Sequence, residues 1–176
     1  MRNVIPRVHA SLLLFMIFAA VATAVPQEKV SATVQPENQR KVAPQFELQD
    51  SDGKAVKMTD YKGKIVLLDF WATWCHGCKQ EIPWFSKFER RYKDKGLSVV
   101  GVSLDEDGWK AVKPFIGEAI PYRIVLGNDS MAKQFGVDGL PVTFLIDRQG
   151  RFAATYAGLV DKDNVEANIK ALLEKH

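Results

Sequence analysis

The chain contains little cysteine, little net charge and only one long apolar run. Two cysteines in 176 residues exclude a disulfide-dense scaffold. A formal net charge of +3 is too small to indicate a nucleic-acid partner by itself. The single apolar run excludes a membrane protein with several spans. Because hydrophobic residues make up 47% and charged residues 26%, the composition is that of an ordinary globular protein, neither collagen-like nor wholly disordered.

The first 24 residues have the pattern of a secretory signal. Arg2 and Arg7 precede the apolar run without any acid. Residues 10–22 are apolar throughout, and Ala22-Thr23-Ala24 places small residues at a cleavage position. We therefore predict a signal peptide over residues 1–24 and a periplasmic or extracytoplasmic location. An uncleaved anchor is the alternative, and it would be the chain's only contact with a membrane.

The remainder of the chain divides into a linker and a domain. Residues 25–42 are polar, contain two prolines and show no apolar periodicity. We therefore predict a flexible linker over residues 25–42. Residues 43–176 are predicted to form one compact domain.

Predicted strands and helices alternate within the domain. Turn residues at 50–53, between two short apolar segments, indicate a β-hairpin. A helix with apolar residues at helical spacing begins at about Cys75. This alternation predicts an α/β fold, a three-layer α/β/α sandwich with a mixed central sheet. The predicted strands cover residues 64–71, 97–104, 123–126, 142–146 and 152–156, and the later helices cover residues 109–117, 131–135 and about 165–173.

Cys75 and Cys78 lie three positions apart at the start of the first predicted helix. A disulfide that closes so small a loop stabilises a fold by only about 2 kcal/mol, against about 3 kcal/mol for a 15-residue loop. A disulfide between these two cysteines would therefore add little stability to the fold, but it suits reversible thiol–disulfide exchange. Free N–H groups and the helix dipole favour a thiolate at Cys75. We predict that Cys75 attacks a substrate disulfide and that Cys78 resolves the mixed disulfide.

Asp69 interrupts an otherwise apolar strand, on the same face as Ile65 and Leu67. Burial raises the pKa of a carboxyl group towards the range useful for proton transfer, so Asp69 is a candidate acceptor for the proton of Cys78. A polar residue at a strand edge, with its own hydrogen bonds, is the alternative. His76 would either add positive charge beside the thiolate or face solvent without a role.

The segment from Asp69 to Cys78 resembles the strand and active-site loop of the thioredoxin superfamily. Pro83 falls where that family bends its active-site helix, and residues 139–143 resemble its cis-proline loop. The hairpin, the signal segment and the long stretch 105–121 resemble the TlpA/ResA-like extracytoplasmic branch. The resemblance covers about residues 43–175 and implies a thioredoxin fold with an N-terminal β-hairpin extension.

The same resemblance implies a substrate-binding surface. Pro141 is expected to be cis and to face the cysteines across a groove, where Leu140 pairs with the backbone of a substrate. Trp74 is expected to pack beside the first cysteine and to shape the docking surface. An acid after the second long strand, Asp105 or Glu106, would approach the site as in some relatives.

Two positions depart from the family pattern. Gly77 stands where many members have proline directly before the second cysteine, and it loosens the first helical turn. With His76 it would form part of the surface that a substrate contacts. Asp69 matches the cytoplasmic thioredoxin pattern, whereas many members of this branch have another residue there. The resemblance therefore implies no particular redox potential.

The function implied by the resemblance is thiol–disulfide exchange with protein cysteines outside the cytoplasm. It implies a monomer without a metal or other cofactor, and with no nucleic-acid partner. Electrons would come from a membrane donor, or would leave to a re-oxidant. Relatives act mainly as reductants, for example of the haem-site cysteines of apocytochrome c, so we expect a reductant.

Three alternative functions remain open from the sequence. The same fold could serve as a thiol oxidase or isomerase, because the direction of electron flow depends on the redox partner. A copper or zinc carrier would use Cys75 and Cys78, but two thiolates fill only half of a tetrahedral zinc site. A thiol peroxidase would need a threonine three residues before its reactive cysteine, where Ala72 precedes Cys75.

Overall fold

The computed structural model describes residues 28–117 and 120–175. The predicted signal segment, residues 1–24, lies outside the described residues. Within them, no helix is both long enough and apolar enough to cross a membrane. The strands are β1 (Glu47–Gln49), β2 (Ala55–Lys57), β3 (Ile65–Trp71), β4 (Leu97–Ser103), β5 (Arg123–Leu126), β6 (Val142–Ile146) and β7 (Phe152–Ala157), and the α-helices are α1 (His76–Tyr92), α2 (Trp109–Ile116), α3 (Asp129–Phe135) and α4 (Lys162–Leu173).

Five strands form one mixed sheet in the order β5-β4-β3-β6-β7. Strand β4 runs parallel to β3 and to β5, whereas β6 runs antiparallel to β3 and to β7. Every residue of β3 and β4 is buried, as expected for central strands that are covered on both faces. The predicted mixed central sheet is confirmed.

Hydrophobic side chains cover both faces of this sheet. Successive side chains of a strand point to opposite faces, so Ile65 and Leu67 share one cluster and Val66 and Leu68 another. The first cluster contains apolar residues of α1 and α4, and the second contains those of α3. The result is the predicted three-layer α/β/α sandwich.

The hairpin of β1 and β2 forms a separate two-stranded antiparallel sheet. Asp50, which follows β1 directly, makes an isolated antiparallel bridge to Val125 of β5. The side chain of Asp50 also accepts a hydrogen bond from Arg123 of β5. The predicted N-terminal extension therefore contacts the β5 edge of the main sheet.

Residues 28–42 differ from the predicted flexible linker, because they lie along the domain in fixed contacts. Gln35 donates its backbone N–H to the carbonyl of Ala153 at 2.8 Å. Arg40 is buried and pairs with Asp147 at 3.0 Å. A polar segment can be ordered in this way when its backbone N–H and C=O groups bond to a strand edge and its charged side chain has a buried partner of opposite charge. The interpretation as a linker is therefore wrong for residues 28–42.

Candidate active site

Cys75 and Cys78 form a disulfide in the first turn of α1. Cys75 is the N-cap residue of the helix, and its Sγ accepts a hydrogen bond from the N–H of Cys78 at 3.2 Å. The Cα atoms of the two cysteines are 5.3 Å apart. Cys75 is 6% exposed and Cys78 is fully buried, so only Cys75 presents surface to another molecule.

The helix start supplies the electrostatics of the site. Backbone N–H groups of a first turn have no partners within the helix, and they point towards the N-cap side chain. After reduction, these groups and the helix dipole would stabilise a thiolate at Cys75 over the neutral thiol. His76 is exposed at the first position of α1, and Gly77 is buried beside it. The arrangement suits a nucleophilic sulfur at position 75.

Asp69 is fully buried in β3, on the face of the sheet that packs against α1. It lies directly opposite Thr143 of β6. The hydroxyl of Thr143 donates a long hydrogen bond of 3.4 Å to Asp69 Oδ1. Asp69 Oδ2 has no hydrogen-bond partner among the described residues. Burial raises the pKa of Asp69 to about 8, only partly countered by the Thr143 bond, so the position of this acid agrees with the prediction of a buried carboxyl.

Glu81 is a second buried acid, which the sequence analysis missed. It lies on α1 one turn after Cys78 and is fully buried. Its Oε1 accepts a hydrogen bond from the N–H of Val160 at 2.8 Å, and its Oε2 has no partner among residues 28–117 and 120–175. Burial, together with the charge of Asp69, raises the pKa of Glu81 to about 9. The missed signal was its spacing, since Glu81 falls on the same helix stripe as Cys78 and Phe85.

Asp69 and Glu81 act on each other, because the charge on one carboxyl raises the pKa of the other. Two like charges in a buried environment do not ionise independently, so the two carboxyls titrate as a pair. Free thiols have pKa values near 8.5. The raised carboxyl pKa values therefore match the thiol range, in which a proton moves between such groups at little cost in free energy.

The peptide bond between Leu140 and Pro141 is cis, as predicted. Strand β6 begins directly after Pro141, and Val142 lies opposite Phe70 near the end of β3. Since β3 leads into the loop before Cys75, the antiparallel register brings Pro141 to the edge of the sheet that carries the disulfide. The carbonyl of Pro141 accepts a hydrogen bond from the N–H of Gly158 at 2.9 Å.

The comparisons with known proteins agree with this geometry. A sequence model of the AhpC/TSA family matches residues 40–155. The chain belongs to the AhpC/TSA family. Over 135 residues it is 36% identical to the thiol-disulfide oxidoreductase ResA of Bacillus thuringiensis subsp. konkukian, an alignment that covers 75% of this chain and 77% of that protein.

Solved structures are similar to this AhpC/TSA-family chain as well. One is a thiol:disulfide interchange protein of the thioredoxin family from Chlorobium tepidum, with 26% identity and a TM-score of 0.70 over 77% of this chain and 97% of that one. Another is the thioredoxin domain of a thiol-disulfide oxidoreductase from Bacteroides vulgatus, with 29% identity and a TM-score of 0.67 over 75% of this chain and 96% of that one. With the Cys75–Cys78 pair, these findings make the protein a thiol-disulfide oxidoreductase with a thioredoxin fold.

The surface around the disulfide of this AhpC/TSA-family protein includes an exposed tryptophan. Trp74 is 68% exposed directly before Cys75. It lines a cleft of about 390 Å³ together with Asp105 and Glu106. Leu140 is half-buried in the loop across the sheet edge. The structure therefore leaves the indole ring available for contact with another molecule.

The two acids after β4 occupy different environments. Asp105 is buried, and its carboxylate accepts hydrogen bonds from the N–H and the hydroxyl of Thr73 at 3.0 and 2.6 Å. Asp105 also accepts a bond from Ser103 at 2.8 Å. Glu106 is exposed on the rim of the cleft. Asp105 therefore contacts the loop before the cysteines, whereas no described hydrogen bond connects Glu106 to this loop.

Proposed function

We propose that this oxidoreductase acts outside the cytoplasm as a reductant of protein disulfides, including those formed by the haem-site cysteines of apocytochrome c. The observation that supports this proposal most is the asymmetry of the disulfide. Cys75 reaches the surface at a helix N-terminus, while Cys78 is buried on the helix face that also carries Glu81. An accessible nucleophile and a shielded resolving thiol are what exchange with large substrates requires.

The proposed cycle begins with both cysteines reduced. The thiolate of Cys75 attacks one sulfur of a substrate disulfide, an S–S bond forms between them, and the other substrate sulfur leaves as a thiolate. Cys78 then loses its proton to an ionised carboxyl group of the Asp69–Glu81 pair. Its thiolate attacks Cys75 Sγ and releases the second substrate thiolate. Two electrons have passed to the substrate, and the Cys75–Cys78 disulfide remains.

We propose that the substrate lies between Trp74 and the cis-proline loop. Trp74 offers a large apolar surface beside the reactive sulfur. A residue before proline favours extended backbone, so the backbone groups of Leu140 are proposed to pair with a substrate strand. Pro141 has no N–H, so it presents no backbone donor to a substrate at this position. Exposed His76 completes the proposed contact surface, whereas Gly77, which was expected to belong to it, is buried and offers no surface to a substrate.

The proposed direction requires a source of electrons. An extracytoplasmic compartment is oxidising, so a membrane protein must reduce the Cys75–Cys78 disulfide after each turnover. The signal pattern of residues 1–24 supports export, either with cleavage or as an anchor. We propose that the protein works as a monomer without a cofactor, because the cysteines themselves carry the electrons.

A trapping experiment tests the exchange reaction. The Cys78→Ser variant lacks the resolving thiol, so its Cys75 should retain protein substrates as mixed disulfides that mass spectrometry identifies. The Cys75→Ser variant is the matched control and should retain none. A folded Cys78→Ser protein that captures nothing beyond this control contradicts the proposed exchange.

A second experiment tests the direction and the substrate class. A reduction potential near the thioredoxin value of about −270 mV supports a reductant, whereas a value near −120 mV supports an oxidase. The reduced protein should reduce an oxidised apocytochrome c peptide faster than an unrelated peptide with a disulfide of the same loop size. Equal rates for the two peptides contradict the proposed preference.

A further inference from the structure

Residues 28–34, which we call the N-terminal strap, pair with the loop between β7 and α4. Val30 donates its N–H to the carbonyl of Leu159 at 2.7 Å, and Asp161 donates its N–H to the carbonyl of Val30 at 2.8 Å. Val30 thus makes a parallel bridge to Val160. These two hydrogen bonds lie on both sides of Val160, so the strap fixes the orientation of the peptide groups around it.

The same loop contacts two parts of the redox site. The N–H of Val160 donates a hydrogen bond to Glu81 Oε1 at 2.8 Å, and the N–H of Gly158 donates one to the carbonyl of Pro141 at 2.9 Å. Residues 158–161 therefore connect the strap with the buried acid of α1 and with the cis-proline loop. The backbone of Val160 is the only described hydrogen-bond partner of Glu81.

Further contacts hold the strap on both sides of the Glu81–Val160 hydrogen bond. Lys29 Nζ lies 5.5 Å from the centre of the Trp84 ring, which belongs to α1 as Glu81 does. Asn164 of α4 accepts the N–H of Ala32 at 3.0 Å. The strap thus bridges the helix that carries the acid and the segment that supplies its hydrogen-bond donor.

The approach of strap and loop is close at Gly158. This residue has a φ of +124°, a backbone conformation that residues with a side chain rarely adopt. A Cβ atom placed there would lie 3.0 Å from Val30 Cγ2. Glycine at position 158 therefore permits both the backbone turn and the contact with Val30.

We infer that the N-terminal strap is a positioning element of the redox site, which holds the Val160 N–H on Glu81 by pairing on both sides of Val160. This inference deepens the proposed function, because Glu81 is one of the two acids proposed to receive the proton of Cys78. A chain with a displaced strap would keep its cysteines but would hold Glu81 less firmly. Its carboxylate form would then lose stabilisation by the N–H donor.

The direction of the effect follows from the groups that face Glu81. The Val160 N–H lowers the pKa of Glu81, while burial and Asp69 of β3 raise it. Tyr122 also interacts with Glu81, but burial raises the pKa of this phenol well above 10, so it stays neutral in the range that matters. A loosened Val160 hydrogen bond should therefore raise the pKa of Glu81 further.

The test measures the titration of Glu81 itself in the full-length, oxidised protein. Proteins labelled with ¹³C at glutamate side chains are titrated by NMR, and the Glu81→Gln variant assigns the signal. Val30→Pro removes the N–H that bonds to Leu159 and should raise the pKa of Glu81 by about half a unit or more. Repeating the titration with Asp69→Asn present separates this shift from the titration of Asp69.

Two further variants complete the design. Thr33→Pro is the matched control, because Thr33 is exposed in the same strap and its N–H makes no hydrogen bond to the described residues; it should leave the pKa of Glu81 unchanged. Asn164→Ala removes the acceptor for Ala32 and should shift the pKa in the same direction as Val30→Pro. It also serves as the test if Val30→Pro does not fold.

The inference is overturned if the folded Val30→Pro and Asn164→Ala proteins titrate Glu81 as the wild type does, even when their melting temperatures fall. An equal shift in Thr33→Pro overturns it as well, because the effect would not depend on the pairing with Val160. The oxidised protein performs no exchange during the titration. Failure of the trapping experiment therefore leaves this result intact, and the two ideas fail separately.

Discussion

Asp105, two residues after β4, accepts hydrogen bonds from both the backbone N–H and the side-chain hydroxyl of Thr73, in the loop before Cys75. One carboxylate thereby ties the end of β4 to the segment that carries the nucleophile. This carboxylate is buried, and it also accepts a hydrogen bond from the hydroxyl of Ser103. We conclude that Asp105 positions the active-site loop, although the sequence pointed only to an acid near the cysteines.

Replacement of Asp105 should loosen this loop. Asp105→Ala removes the acceptor of three donors, two from Thr73 and one from Ser103, so we expect it to lower the free energy of unfolding by about 2–3 kcal/mol. Thr73→Val removes only the hydroxyl bond and should cost about 1 kcal/mol. Urea unfolding of the oxidised proteins measures both values. Equal losses in the two variants would show that the bonds from the Thr73 backbone and from Ser103 contribute nothing.

The two buried acids should control the resolution step. In Asp69→Asn and in Glu81→Gln, one acceptor for the proton of Cys78 is lost, and we expect mixed-disulfide resolution to slow about tenfold or more near pH 7. The double variant should be slower than either single variant. Stopped-flow measurements between pH 6 and 8 test this, and rates equal to wild type throughout that range would remove the acids from the step.

Stability of the oxidised protein should fall as the pH rises from about 4 to 9. Burial raises the pKa of Asp69 to about 8 and that of Glu81 to about 9, from ordinary values of 3.8 and 4.5. Between these values the folded state binds more protons than the unfolded chain, so their stabilising contribution is complete below about pH 4 and is lost as the pH passes the folded values. Each fully protonated carboxyl contributes a slope of up to about 1.4 kcal/mol per pH unit.

The variants for this measurement compare the two buried acids with an exposed one. Asp69→Asn combined with Glu81→Gln should flatten the dependence of the free energy of unfolding on pH between 6 and 8. Glu106→Gln, at an exposed position beside the cleft, should keep the wild-type slope. A wild-type protein whose stability does not change over this interval would contradict the raised pKa values.

Trp74 should contribute to substrate binding and little to the redox chemistry. Trp74→Ala removes a large exposed ring next to Cys75, so we expect KM for a protein disulfide to rise several-fold while the reduction potential stays within a few millivolts of wild type. Val42→Ala is the control, because Val42 is 70% exposed but pairs with Arg151 before β7, at the end of the sheet away from Pro141. An unchanged KM in Trp74→Ala would exclude the indole ring from the contact surface.

Much of the fold was predictable because its signals are local. The apolar runs of β3 and β4 have strand length, and the apolar spacing after Cys75 has a helical period, so both element types could be read from neighbouring residues. The face on which Asp69 lies follows from strand alternation alone. The cysteine pair and Pro141 carried enough of a family pattern to predict an exchange site.

The sequence by itself determined the spacing of the cysteines, the order of the elements and the identity of the residues at the disulfide. Only the tertiary structure showed that Glu81 is buried beside Asp69, because a glutamate on an amphipathic helix is normally solvated. Only the structure placed residues 28–42 on the domain, since their partners are distant in the chain: Ala32 and Asn164 are 132 positions apart, and Arg40 and Asp147 are 107 apart. Contacts over such separations depend on how the whole sheet and its helices pack, and no local pattern of residues encodes them.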